Sequence, residues 1–340
     1  MVCVRKKRRS QCGSTASHVG VVSVRQTCRI AVFAFVFIAS ACGQNLFDQP
    51  HIASIPQHQL LKAPTLRADA NLVLIPVTVL DSKDRVVTGL QAKDFSISEN
   101  HLSQTIKCFS QEDAPVSITV VLDASGSMAT KISAERAAAL ELLNEANQGD
   151  EFSLIAFGTE PRIALRFSEP ADDFSEVVNS IQPDGFTSLW DGVHLAIQQQ
   201  KNARYARRAI VVISDGGDNH SRYTEDEIKS LLREADVQVY AIALSDRFVK
   251  TPEEKIGPLR LDEIASVTGG RAIRVHDATD VARAAREISS ELRSSYVIGY
   301  YPATHSADGK WRVVKVQLTD FSGKVSVRVN ARSGYYGPTG

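Results

Sequence analysis

The chain has 340 residues, 43% of them apolar and 23% charged, with a formal net charge of zero. That is enough for one large or two modest domains with proper cores, in a composition ordinary for globular proteins. Residues 1–41 hold seven Lys and Arg and no acid, so the remainder carries 32 basic against 39 acidic residues, a balance of −7 that argues against nonspecific nucleic-acid binding.

Residues 1–41 read as a targeting segment. A basic region, Arg5-Lys6-Lys7-Arg8-Arg9, precedes an apolar run at 30–39 that is too short to span a bilayer comfortably but suits the core of a bacterial secretory signal. Two outcomes fit its end. Ala39-Ser40-Ala41 suits ordinary signal peptidase, whereas Ala39-Ser40-Ala41-Cys42 resembles a degenerate lipobox that would lipidate Cys42. Either outcome exports the protein to the periplasm, the cell envelope or the exterior, and membrane attachment enters only through a lipid on Cys42. Only Cys42 and Cys108 lie beyond the targeting segment, which excludes a disulfide scaffold and a zinc site. The expectation for Cys108 is a free, buried strand thiol. Residues 42–69 are rich in Gln, His, Pro and Ser and read as a tether, with His51 and His58 as solvated linker residues.

From residue 70 the pattern turns β. Val73, Ile75, Val77 and Val79 alternate, Asp81-Ser82-Lys83-Asp84 turns the chain, and Phe95, Ile97, Ile106 and Phe109 mark further strands. Segments 295–301, 311–318 and 325–329 resume that style near the carboxyl end, with turns at Ala307-Asp308-Gly309 and Phe321-Ser322-Gly323. Neither β segment can bury a core alone. Residues 70–112 and 295–338 are therefore expected to pair into one small β-sandwich. Residues 113–294 form an inserted α/β domain, a doubly wound, Rossmann-like sheet. Its buried strands fall at 116–123, 152–157, 209–215 and 237–243. Helices are marked by Phe174, Val177, Val178 and Ile181, by a Thr224/Glu227 capping box, and by Val281, Ala284, Ala285, Ile288 and Leu292.

The chemistry concentrates where the strand at 116–123 ends. Asp123, Ser125 and Ser127 offer a carboxylate and two hydroxyls at alternate positions around Gly126, directly before a helix. A second buried strand ends in Asp215-Gly216, and Gly185-Phe186-Thr187-Ser188-Leu189 supplies another hydroxyl in a helix-opening turn. If the strands are parallel, three distant segments converge at one sheet edge, where α/β folds hold ligands. All-oxygen donors suit Mg²⁺ or Ca²⁺ better than a softer metal. The competing reading is that Asp123 and Asp215 only cap the helices that follow.

The order Asp-x-Ser-x-Ser, Thr, Asp-Gly resembles the metal-ion-dependent adhesion site of von Willebrand factor type A domains. Flanks such as Val77-Thr78-Val79-Leu80-Asp81, Val87-Thr88-Gly89-Leu90, Asp94-Phe95, Asp113-Ala114-Pro115, Gly299-Tyr300-Tyr301-Pro302 and Gly334-Tyr335-Tyr336 are similar to the bacterial secreted proteins related to that domain. The resemblance implies that Ser125, Ser127 and Thr187 ligate a divalent ion, Mg²⁺ with Ca²⁺ or Mn²⁺ as alternatives. Asp123 and Asp215 would hold it mainly through water. The open position would then take an Asp or Glu carboxylate from a protein partner. Gly126 is expected to let the loop wrap tightly and Gly216 to let the partner approach, with Asp191 and Asp218 orienting the loops. Asn219 and His220 are placed at the rim, Phe186 at the access side, and Trp190 in the helix core.

No Gly-x-Ser-x-Gly elbow, Walker loop, His-Glu-x-x-His or Gly-x-Gly-x-x-Gly occurs, and the histidines are dispersed. The expectation is a binding module rather than an enzyme. The alternatives are a metal-assisted hydrolase with Asp215 as base, and a structural envelope protein stiffened by its metal.

Overall fold

The computed structural model describes residues 72–111, 113–170, 173–245, 252–303, 307–319 and 326–339, all within one compact unit, Leu66–Gly340. The targeting segment, Cys42, the tether and the Phe321-Ser322-Gly323 turn lie outside the described residues. In chain order the strands are β1 Val73–Leu80, β2 Phe95–Glu99, β3 Leu102–Gln104, β4 Ile106–Ser110, β5 Val116–Asp123, β6 Glu151–Phe157 and β7 Pro161–Leu165. They continue as β8 Arg207–Ser214, β9 Gln238–Leu244, β10 Ala272–Val275, β11 Tyr296–Tyr300, β12 Trp311–Leu318, β13 Arg328–Ala331 and β14 Gly334–Tyr336. The helices are α1 Ile132–Asn144, α2 Asp173–Ser180, α3 Leu189–Gln199, α4 Glu225–Glu234, α5 Pro252–Val267 and α6 Ala278–Ser294.

Six strands form the central sheet in the order β10-β9-β8-β5-β6-β7, parallel except for the antiparallel edge strand β7. Every residue of β5 is buried, as its run of apolar and β-branched side chains requires of a strand covered on both faces. Ile118, Val120 and Leu122 pack on one side with Ala138 and Leu142 of α1 and Ala284 and Ile288 of α6. Val121 points the other way, into a core with Val193 of α3, Ile228 of α4 and Leu261 of α5. The sheet is doubly wound, as the alternation of strands and helices predicts. Among the polar side chains in its middle, Thr119 meets Ser153 at 2.8 Å and accepts from Gln200 Nε2 at 3.0 Å, so burial does not leave that hydroxyl unmet.

The flanking β segments pair with each other. β1 lies between β11 and β13 in a four-stranded sheet, β13-β1-β11-β4, and β12 lies between β14 and β2 in a second, β14-β12-β2-β3. Ile75, Val77, Tyr296 and Ile298 of the first sheet and Phe95, Ile97 and Val314 of the second make one core. Tyr296 stands at its centre, with ring centroids 5.2 Å from Phe95 and 5.6 Å from Phe109, and its hydroxyl donates to Val87 O at 3.0 Å. The hairpin between β2 and β3 turns through Asn100 and His101, both in the left-handed region at φ 48° and 68°. That is the backbone a two-residue hairpin loop needs, obtained here without glycine.

Two expectations need correction in this half. Cys108 is free but exposed rather than buried. The register slips between Gly299 and Tyr300, so Cys108 pairs with Gly299 while Ile106, not Lys107, pairs with Tyr300. This bulge lets both Ile106 and Phe109 join the core and turns Lys107 and Cys108 outward together. The strand expected at 325–329 runs instead from Arg328 to Ala331, where Val77 to Leu80 of β1 offer it partners.

Candidate functional site

β5 and β8 are adjacent and parallel, with Leu122 opposite Ile213, so Asp123 and Ser214 end side by side at the carboxyl edge. The loop after β5 folds back on its own aspartate. Ser125 donates to Asp123 Oδ1 through both its backbone N–H, at 3.1 Å, and its hydroxyl, at 2.6 Å, and Ser125 Oγ lies 3.0 Å from Ser127 Oγ. Ser214 Oγ donates to Asp123 Oδ2 at 2.7 Å and accepts from Gly216 N at 2.9 Å. Asp123 and Ser125 are completely buried, while Ser127 is exposed.

Backbone bonds bring the other two loops alongside. Gly126 N donates to Gly185 O at 3.0 Å, and a Cβ on Gly126 would come within 3.3 Å of that oxygen, so the loop does wrap closely there. Thr187, buried, receives the backbone N–H groups of Asn219 and His220 on its carbonyl and donates its own N–H to Asn219 Oδ1 at 2.9 Å. The segment holding Thr187 is thereby laced to both of its neighbours. Asp215, just beyond β8, accepts from Gly217 N at 3.1 Å and pairs through Oδ2 with Lys131 Nζ, also at 3.1 Å.

Neither aspartate caps a helix. The N-cap of α1 is Lys131 and that of α4 is Thr224, whose hydroxyl accepts from Glu227 N in the expected capping box. Asp191 and Asp218 spend their oxygens on loops. Asp191 accepts from the backbone of Arg222 and Tyr223, and Asp218 Oδ1 accepts from Leu189 N and Ser221 Oγ. Phe186, 57% exposed, stacks on the exposed His220 with ring centroids 5.0 Å apart, and Trp190 is buried in the helix core.

Gly216 has a different role from the expected one. It is at φ +81°, but the space where its Cβ would stand is filled by the backbone of Gly257 in α5, with Gly257 O 2.3 Å away. Reciprocally, a Cβ on Gly257 would lie 2.1 Å from Asp215 O. The two glycines let helix and loop backbones touch, and they fix Asp215 from behind rather than admitting a partner from in front.

Three further residues belong to this site. Lys131 supplies its cation. Glu135, wholly buried, accepts from Asp123 N and leaves Oε2 without a hydrogen-bond partner. Ser214 holds the second oxygen of Asp123. Glu135 was legible: with Ala138, Ala139 and Leu142 it falls at i, i+3, i+4 and i+7, on the buried face of α1. Ser214 and Lys131 give no such signal.

Acid is crowded here. Burial, with a smaller push from Asp215, raises Asp123 to about 6 despite its hydrogen bonds from Ser125 and Ser214. Burial, reinforced by the charges of Asp123 and Asp215, pushes the Glu135 carboxyl well above the usual carboxylate range. Among the described residues no three His, Cys, Asp or Glu side chains stand together as metal ligands. What the edge offers is two carboxylates backed by hydroxyls, a donor set of a different kind.

Among proteins of known sequence, one from Borreliella burgdorferi whose function is uncharacterised is 26% identical over 189 residues, 48% of this chain, and the match spans 55% of that relative's length. Among solved structures, a von Willebrand factor type A protein from Catenulispora acidiphila aligns over 78% of this chain and 72% of its own, at 13% identity and a TM-score of 0.45. The conserved hypothetical protein BatB from Bacteroides thetaiotaomicron aligns over 53% of this chain and all of its own, at 19% identity and a TM-score of 0.43. Residues 118–217, from the central strand through the Asp215 loop, match the model of the von Willebrand factor type A domain.

Proposed function

We propose that this protein is an exported, metal-dependent binding module of the adhesion type and not an enzyme. Asp123, Ser125, Ser127, Thr187 and Asp215 would hold Mg²⁺, or Ca²⁺ or Mn²⁺ in its place, at a metal-ion-dependent adhesion site. The observation that carries the reading is the cation already seated there. The Lys131 ammonium neutralises Asp215 at a sheet edge whose other acids are buried and pushed toward protonation. A divalent ion would relieve that crowding, and hydroxyl and carboxylate oxygens are the donors Mg²⁺ accepts. The first ligands being largely neutral hydroxyls, the ion would keep enough charge to attract a carboxylate from outside.

The chain's own residues then have separable tasks. Ser214 and Glu135 orient Asp123, Gly216 and Gly257 fix the Asp215 loop, and Asn219 clamps Thr187. The exposed Phe186–His220 stack stands beside Thr187 as a rim against which a partner's acidic residue would dock. We place the module at the cell envelope or outside it, either released or anchored by a lipid on Cys42. Among the described residues no helix is long and apolar enough to cross a membrane. The match of residues 118–217 to a von Willebrand factor type A domain supports the interaction role.

The test is calorimetric titration of Mg²⁺ into the protein and its Asp123→Ala and Ser125→Ala variants, followed by capture of envelope partners with and without EDTA. Saturable Mg²⁺ binding that both variants lose, and capture that EDTA abolishes, are the expected results. Mg²⁺ binding retained in either variant overturns the site. Capture indifferent to EDTA leaves the metal a structural role, and turnover lost with Asp215→Ala would make the protein a hydrolase.

A further inference from the structure

The amino-terminal edge of the same sheet holds a second concavity, at the far end of β5 from Asp123. The length of that strand lies between the two, ~23 Å for eight residues at the usual rise. A cavity of about 160 Å³ opens there between the strand starts, the outward side of β1 and the carboxyl-terminal ends of α4 and α5. Leu74 and Val297 from the flanking sheets, with Val116 and Leu232 from the α/β body, supply apolar wall. An apolar cavity of about 150 Å³ suffices for a benzene ring.

The charged groups of the wall are already engaged. Arg332 pairs with Asp236 at 3.5 Å and donates to Gly334 O at 2.9 Å. Arg207 donates to Ala114 O at 3.1 Å and to Ser295 Oγ at 3.0 Å, among other contacts, with Asp113 and Asp150 nearby. Arg208 donates to Tyr205 O at 3.3 Å, and the Arg233 guanidinium lies 6.0 Å from the centre of the Trp311 ring. What the wall leaves unmet is a neutral donor. Gln238, at the start of β9, is nine-tenths buried, and its Nε2 has no hydrogen-bond partner. Tyr240, next on the same face of β9 and fully buried, has an unpartnered hydroxyl as well. A buried N–H without an acceptor is costly, and that cost is recovered by whatever brings an oxygen to it. Water would meet the amide but leave the apolar wall wet.

We propose that this cavity binds a small uncharged carbonyl compound, an amide or ketone with an aromatic or branched-chain body. Its carbonyl oxygen accepts from Gln238 Nε2, and its body is buried against Leu74, Val116 and Val297. A carboxylate is a poorer fit, because it would give up its hydration for a wall whose guanidinium groups already have acceptors. The walls come from both the α/β body and the flanking sheets. The ligand therefore binds only when the two are docked, and it stabilises their junction.

The experiment uses the full chain in EDTA, so that no carboxylate can ligate a metal at the other edge. Benzamide and isovaleramide are titrated by calorimetry and by thermal shift, beside benzoate as the charged comparison and toluene as the one without an acceptor. Saturable amide binding that raises Tm is expected, with benzoate at least tenfold weaker than benzamide. Gln238→Met removes the unmet N–H and keeps the length of the side chain. It is expected to weaken the amides about tenfold and to leave toluene unchanged. Leu74→Trp, which fills the cavity from a half-exposed position, abolishes amide binding. Asp123→Ala retains it, so this site stands or falls apart from the metal reading. Absence of saturable binding by both amides, or benzoate binding as tightly as benzamide, overturns the proposal. So does undiminished amide binding in a folded Gln238→Met or Leu74→Trp protein, or an equal loss of amide and toluene binding in Gln238→Met.

Discussion

Replacing Lys131 by Met should tighten Mg²⁺ binding, although the change removes a partner from the site. Lys131 Nζ and Asp215 Oδ2 are 3.1 Å apart, with side chains 13% and 16% exposed. At an effective dielectric near 20, Coulomb attraction at that distance is worth about 5 kcal/mol before desolvation and side-chain ordering are charged against it. The net contribution of such a partly buried pair is about 1–3 kcal/mol. A dication at Asp215 must either displace the ammonium, forfeiting that amount, or tolerate it a few ångströms away. Lys131→Met removes the competitor and keeps the aliphatic stem, so the Mg²⁺ dissociation constant should fall roughly tenfold to a hundredfold, one decade per 1.4 kcal/mol. The metal-free variant should lose about 1–3 kcal/mol of stability, because Asp215 is left half-buried and unneutralised, and regain it as Mg²⁺ saturates. Calorimetry in Mg²⁺, paired with urea melts in EDTA, reads both quantities. Unchanged or weakened Mg²⁺ affinity in a folded Lys131→Met protein would refute the reasoning, since the ammonium would then be no rival to the ion.

Glu135 and Asp123 give two more expected outcomes. Glu135→Gln keeps the oxygen that accepts from Asp123 N and replaces a carboxyl whose charged form burial disfavours. Urea denaturation should find it within about 1 kcal/mol of the parent, whereas Glu135→Ala strands the buried N–H and should cost about 1–3 kcal/mol plus the cavity it opens. For Asp123 the sign follows from its raised pKa, about 6 when folded against 3.8 when exposed. Between those values the folded state holds a proton the unfolded state has released, so metal-free stability falls as pH rises through that window, by about 3 kcal/mol in total. Asp123→Asn should lack that decline in EDTA, and saturating Mg²⁺ should suppress it in the parent. Parallel pH profiles for parent and variant in EDTA would contradict the assignment.

How far the sequence discloses this molecule depends on whether the deciding interaction is local. β5 and β8 could be read because each carries its own apolar run up to an aspartate, and once they are parallel the two acids share an edge whatever surrounds them. The pairing of the flanking segments followed from their inability to bury a core alone. Cys108 was placed on the wrong side because strict alternation cannot anticipate a bulge set by β11. β13 began three residues late for the same reason, its partners on β1 fixing where pairing starts. The short strands β7 and β14 are held by their neighbours rather than by any periodicity of their own. In the site, Gly257 escaped notice because what it touches, the Asp215 carbonyl, is some forty residues away along the chain. Lys131 escaped because a lysine beside a helix start is ordinarily a solvated one.

The two omissions in the site, Lys131 and Gly257, both concern how the protein holds its own acids. Asp123, Glu135 and Asp215 act on one another electrostatically, and two of them are fully buried. A folded chain can keep such a cluster in only a few ways: protonate a member, pair one with a cation, or surround one with donors. All three are in use. Glu135 is pushed toward its protonated form, Asp215 holds Lys131, and Asp123 is wrapped by Ser125 and Ser214. Only the Lys131 pair can be withdrawn without moving the backbone, since it joins two side chains. The same side chain that lets the chain fold without metal is therefore the one an incoming ion must move. On this reading metal affinity in the protein is set less by how well the donors are arranged than by how firmly Asp215 is already held.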